Sequence, residues 1–119
     1  ERYKDEKDEV PGMFNKMKPI KGAVEAFDKL TDKYDTYILS SAPWNNPSAW
    51  VDKLEWVKKY LGLKAEKRLI LSHHKNLNRG DYLIDDRPNN GAKDFQGEWL
   101  HFGENGKYPN WASILDYLL

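Results

Sequence analysis

The sequence predicts an α/β fold built on a parallel sheet, and two observations carry that prediction. Along the chain, short apolar runs with strand character alternate with stretches whose apolar residues fall three and four apart. One of those runs, Tyr82-Leu83-Ile84, stops on two adjacent carboxylates, Asp85 and Asp86, followed by Arg87-Pro88. Two neighbouring acids repel, and each is costly to desolvate unless a cation or hydrogen-bond donors compensate. Open α/β sheets bind ligands just beyond the carboxyl ends of their strands, so an Asp-Asp terminus there has a use.

Taken in order, the elements are these. After Pro19, the spacing of Ile20, Val24, Phe27, Leu30 and Tyr34 predicts an amphipathic helix. Thr36 to Ser41 reads as a strand ending in hydroxyls. Asn46 is placed to cap a second helix, with Pro47 at its first position and Trp50, Leu54, Val57 and Leu61 as its core stripe; Gly62 stops it. Arg68 to Ser72 and Tyr82 to Asp86 are the next two strands, with Gly80-Asp81 turning into the latter. Asn90 opens a short helix through Phe95 that Gly97 ends. Glu98 to Phe102 is a fourth strand, and Trp111, Ile114, Leu115 and Leu118 mark a closing helix. The whole is a small Rossmann-like three-layer domain over residues 19–119, and residues 1–18 form a lead-in whose first nine residues are almost wholly charged.

Composition narrows the function. The 119 residues fit one domain with a modest core. Charged residues make up 32% and cancel to zero, so no strong field favours a nucleic-acid polymer or an anionic membrane. With no cysteine, disulfides, thiolate metal sites and thiol catalysis are excluded. No apolar run reaches membrane-spanning length and no secretory signal is visible, which gives a cytoplasmic expectation.

Three chemical features fall at or just past the ends of three different predicted strands: Ser41, then Lys75 in Ser72-His73-His74-Lys75, then Asp85-Asp86. A parallel sheet brings those ends to one edge. A hydroxyl and an ammonium suit phosphoryl oxygens, and a carboxylate pair suits Mg²⁺, which takes one or two carboxylates together with phosphate oxygens. Because neighbouring strand residues face opposite ways, Asp85 and Asp86 cannot ligate equally; Asp86 is expected as the direct ligand and Asp85 behind it. Trp44, in Pro43-Trp44-Asn45-Asn46-Pro47, lies near this edge, where it either stacks a nucleobase or simply packs. Trp50, Trp56, Trp99 and Trp111 belong to periodic elements and are expected in or beside the core. His73, His74 and His101 lack the ligand spacing of a zinc site.

The segments Tyr37-Ile38-Leu39-Ser40-Ser41-Ala42-Pro43, Asp52-Lys53-Leu54-Glu55-Trp56-Val57, Leu69-Ile70-Leu71-Ser72-His73-His74-Lys75 and Gly80-Asp81-Tyr82-Leu83-Ile84-Asp85-Asp86-Arg87-Pro88 resemble the 5'(3')-deoxyribonucleotidases of the haloacid dehalogenase-like phosphatases. The likeness runs from about Pro19 to Leu119. It implies Mg²⁺-dependent dephosphorylation of deoxyribonucleoside monophosphates or another small phosphomonoester. Ser41, Lys75 and Asp85-Asp86 then match the second, third and fourth family motifs, with Ala42 beside the substrate and Trp44, by its position, a further candidate substrate contact. Such enzymes attack phosphorus with an Asp of a D-x-D-x-[TV] motif, and these 119 residues carry none; Asp5 and Asp8 have neither the spacing nor an apolar strand before them. The resemblance therefore implies a domain lacking its first strand and most of its cap, with residues 1–18 a lead-in or cap remnant and no turnover by these residues alone. The alternative is a non-catalytic module that binds phosphate, Mg²⁺ or a protein partner. Ala42 replaces a second hydroxyl, and His73-His74 a more usual Arg-Asp pair. With the central strand absent, the strands ending at Ser41 and Asp86 are expected to pair directly. That gives one four-stranded sheet in the order Glu98–Phe102, Tyr82–Asp86, Thr36–Ser41, Arg68–Ser72.

Overall fold

The computed structural model describes residues 20–119; the lead-in assigned to residues 1–18 lies outside the described residues. Among the described residues three helices and four short parallel strands follow in the order α1 (Ala23–Lys33), β1 (Ile38–Ser40), α2 (Pro47–Tyr60), β2 (Leu69–Leu71), β3 (Tyr82–Asp85), β4 (Glu98–His101) and α3 (Trp111–Leu118). Single 3-10 turns fall at Gly62–Ala65, Lys75–Leu77 and Ala92–Asp94. The predicted α/β character and every predicted strand are present, each strand one to three residues shorter than its apolar run.

The sheet differs from expectation. β1 pairs with β2 and β3 with β4, both in parallel, but they form two separate two-stranded sheets rather than one of four. The neighbours within each pair are those expected; the direct β1–β3 ladder is not formed. Ile38 N–H donates to the Arg68 carbonyl and Ser72 N–H to the Ser40 carbonyl, so the even residues of β1 serve β2. Glu98 and Phe102 N–H donate to the Asp81 and Asp85 carbonyls, so the odd residues of β3 serve β4. The alternation of a parallel ladder turns the polar groups of Leu39, Tyr82 and Ile84 toward the opposite edges. Side chains rather than a ladder span the divide: Leu39 packs with Trp99 against the buried cluster of Leu83, Ala92 and Phe95.

On the other face of β3, Ile84 joins a larger core of Leu30, Leu100, Tyr108, Ile114 and Leu118. Adjacent β3 residues thus enter clusters on opposite faces, as in a parallel strand covered on both sides. α1 and α3 close this core, tied by the Tyr34 hydroxyl and Lys33 Nζ, which donate to the Leu118 carbonyl at 2.6 and 2.9 Å.

Helix ends show where pattern reading slipped. α1 starts at Ala23, because Gly22 takes a left-handed φ of 87° and Ile20 stays outside, exposed. On α2, Ala49, Asp52 and Val57 are buried while Leu54 is exposed, so the stripe is rotated from the one predicted. Asn46 precedes α2 as expected, yet its side chain accepts from Ser48 Oγ at 2.7 Å and makes no capping hydrogen bond. α3 carries an unpredicted capping box between Asn110 and Ser113. Trp50, Trp56, Trp99 and Trp111 are all half-buried. Among the described residues no helix is long and apolar enough to cross a membrane.

Candidate active site

Lys75 and Asp85 meet at the carboxyl edge of β3. Asp85 is the last residue of that strand, and Lys75 opens the 3-10 turn that follows β2. The ammonium lies 2.6 Å from Asp85 Oδ2, and each side chain is only 11% exposed. A pair so dry endures only where further bonds satisfy it. Asp85 Oδ1 accepts the Arg87 N–H at 3.3 Å, and its carbonyl accepts Trp99 Nε1 at 3.1 Å. Lys75 N–H donates to the Asn90 carbonyl at 2.5 Å. That contact requires the chain to double back: Asn90 and Gly91 have φ of 54° and 82°. A Cβ at Gly91 would stand 2.1 Å from Asn76 Oδ1, so only glycine lets the two 3-10 turns dock.

Asn90 also reaches Ser41. Its Nδ2 donates to Ser41 Oγ at 3.3 Å, so one residue touches the hydroxyl through its side chain and Lys75 through its backbone. Ser41 lies one residue past β1, and its carbonyl accepts Lys53 Nζ and, at 3.2 Å, Ser40 Oγ. The structure therefore brings Ser41, Lys75 and Asp85 to one edge. Asp86, one residue past β3, is exposed; its carbonyl accepts His101 Nε2–H at 3.2 Å while the His101 ring stacks on Trp99.

The sequence pattern did not single out Lys53, and it gave Asn90 the duties of a loop and helix cap. Capping falls instead to Gly91, which leaves the Asn90 amide to bridge. Its one visible signal is the proximity of Asn89-Asn90-Gly91 to the acid pair in sequence.

Ala42 and Trp44 lie on the loop after Ser41. Ala42 is buried, and its carbonyl accepts His73 Nε2–H at 2.7 Å. Trp44 is 80% exposed, so its indole is not core packing.

Among the described residues no group of three or more His, Asp or Glu side chains converges as a metal cage. With Asp85 committed to Lys75, the acid pair offers one exposed carboxylate, Asp86, and one already paired to a cation. That fits Mg²⁺ held jointly with phosphate oxygens and does not fit a structural metal.

Residues 6–108 match the family described as 5'-nucleotidase, deoxy (pyrimidine), cytosolic type C protein. A Vibrio phage KVP40 protein provisionally named a 5'(3')-deoxyribonucleotidase is 56% identical over 117 residues, 98% of this chain and 68% of its own length. Proteins with the same provisional name from Bordetella bronchiseptica and Staphylococcus aureus strain Mu50 are 42% and 36% identical over 80 and 78 residues. Each match covers 66% of this chain and 43% of the bacterial protein, so the chain spans less than half the length of these two relatives.

Proposed function

Because the chain belongs to this deoxy-type 5'-nucleotidase family, we propose that it supplies the phosphate- and metal-handling half of a Mg²⁺-dependent phosphatase acting on deoxyribonucleoside monophosphates. The observation that carries the reading is the Lys75–Asp85 pair at 2.6 Å, joined through Asn90 to Ser41. In this reading Asp85 holds the Lys75 ammonium toward the edge where a phosphoryl group sits, and Ser41 Oγ–H donates to a phosphoryl oxygen. Asp86 holds Mg²⁺, with Asp85 behind it. The ion, once bound, neutralises charge on the phosphoryl oxygens. Ala42 and Trp44 flank the substrate.

None of these residues is a competent nucleophile. Ser41 Oγ accepts from an amide, which is not a base, and among the described residues it has no hydrogen bond to a carboxylate or imidazole. Charge stabilisation by Lys75 and Mg²⁺ does not replace an attacking carboxylate. The 119 residues alone are therefore proposed to be inactive. A strand bearing D-x-D-x-[TV] would seat between β1 and β3, whose facing edges are not bonded to each other, and would complete a Rossmann-like three-layer domain with one sheet.

The test is phosphate release from a nucleotide panel, comparing these residues with the same residues preceded by such a strand and a short cap. Mg²⁺-dependent release by the extended protein alone is expected, with Asp86→Asn abolishing most of it and Lys75→Ala weakening it strongly. Turnover by the 119 residues that depends on Ser41 would overturn the assignment. A well-folded but inactive extended protein would favour a non-catalytic phosphate- or partner-binding module.

A further inference from the structure

One aromatic side chain near this edge stands out from the core. Trp44 is 80% exposed, while the loop that carries it is anchored at three points. Ala42 is buried with its carbonyl on His73 Nε2–H at 2.7 Å, and Trp50 Nε1 donates to the Pro43 carbonyl at 3.3 Å. The His73 ring meets Trp44 and Trp50 edge-on, with centroids 6.1 and 5.9 Å away. Trp50 thus braces the His73 ring, and His73 in turn meets the indole of Trp44, most of whose surface stays in water. Loose loops do not hold an aromatic this way, and burial gains nothing from it. Geometry of this kind serves a flat ligand that stacks.

The Trp44–His73 contact belongs to the phosphate-competent edge through both of its strands. Trp44 follows Ser41 by three residues, and His73 precedes Lys75 by two. Resting on the phosphate reading above, we infer that Trp44 is the platform for the nucleotide's base, with His73 as the residue that positions it. Stacking on an indole requires only a π face, so the platform selects for the presence of a base and discriminates weakly among bases.

The experiment is an NMR titration of the full-length protein with Mg²⁺ and either deoxythymidine monophosphate or deoxyribose 5-phosphate, which lacks the base. Wild type, Trp44→Ala and Trp44→Phe are compared. The wild type is expected to bind the nucleotide about tenfold more tightly than the sugar phosphate. Trp44→Ala should erase that preference by weakening nucleotide binding about tenfold, and Trp44→Phe should restore most of the preference. A preference that survives Trp44→Ala, with Lys75 and Asp85 still responding, would overturn the platform and leave the phosphate reading standing. If the nucleotide perturbs Trp44 in the wild type but not Lys75 or Asp85, the phosphate reading fails while the platform stands. If neither ligand perturbs Lys75, Asp85 or Trp44, both fail.

Discussion

Two charges held 2.6 Å apart with little water around them depend on each other. Replacing Lys75 by Met leaves Asp85 without its cation, and Asp85→Asn leaves Lys75 without its anion. Each single change should cost about 3 kcal/mol in denaturant unfolding, the low end for a broken buried pair because both side chains keep some solvent contact. The double change Lys75→Met, Asp85→Leu should recover much of that loss. Single-variant midpoints indistinguishable from wild type would show that the pair carries no weight.

Tyr117 offers a second test at this scale. Its hydroxyl donates to Glu98 Oε1 at 2.7 Å, and that bond, with lesser help from desolvation and the nearby Glu98 charge, pushes its pKa up to about 12 from the ordinary 10.0. The protonated phenol is the favoured form in the folded state. Its stabilisation is therefore present below pH 10.0 and lost as pH rises through about 12. Alkaline spectrophotometric titration should find a late-ionising phenol that Tyr117→Phe removes; an unchanged late phase would contradict the bond.

Among the elements, the paired 3-10 turns at Lys75–Leu77 and Ala92–Asp94 do most to place the site. Gly91→Ala forces a Cβ into Asn76 at a left-handed φ, so it should cost more than 1 kcal/mol, and it should shift the amide resonances of Lys75 and Ser41 together. A shift confined to Asn76 would show that the turns do not position Lys75.

Of these two turns the sequence shows the second, as a short helix within residues 90–95, and not the first, at Lys75–Leu77. Apolar periodicity finds strands and long helices because their burial repeats every two or 3.6 residues, and Leu83, Leu100, Ile114 and Leu118 were readable that way. A single turn has no period. Asn90-Gly91 is a local signal for left-handed backbone, but the double role of Asn90 depends on docking against the turn at Lys75, which no local pattern encodes. That Ser41, Lys75 and Asp85 share one edge was legible because each lies at or just past the end of an apolar strand, where polar residues conflict with simple burial. The rotated stripe of α2 escaped because Asp52 is buried and Leu54 exposed, the reverse of what hydropathy assigns.

At the scale of the whole molecule, the chain is two parallel strand pairs sharing side-chain packing but no ladder between β1 and β3 among the described residues. Amide exchange should register that split. The N–H groups of Leu39 and Ile84, turned toward the divide, should exchange faster than those of Ile38 and Phe102, which donate within the pairs. Equal protection of all four would contradict the separated sheets. Direct pairing was expected from the cost of unpaired backbone groups. That pairing is not formed: the side-chain cluster around Leu83 and Leu39 spans the divide where no ladder runs.

The central claim is that Ser41, Lys75, Asp85 and Asp86 act as one phosphate- and Mg²⁺-handling edge. A Mg²⁺ titration followed by amide NMR, without and then with a deoxyribonucleoside monophosphate, tests it most directly. Two carboxylates, one of them paired to Lys75, should bind Mg²⁺ only weakly, roughly millimolar, and more tightly once phosphate oxygens complete the shell. Concerted shifts at Ser41, Lys75, Asp85 and Asp86 that sharpen with the nucleotide are the predicted result. Shifts centred instead on the charged stretch Glu1 to Glu9, indifferent to the nucleotide, would contradict it.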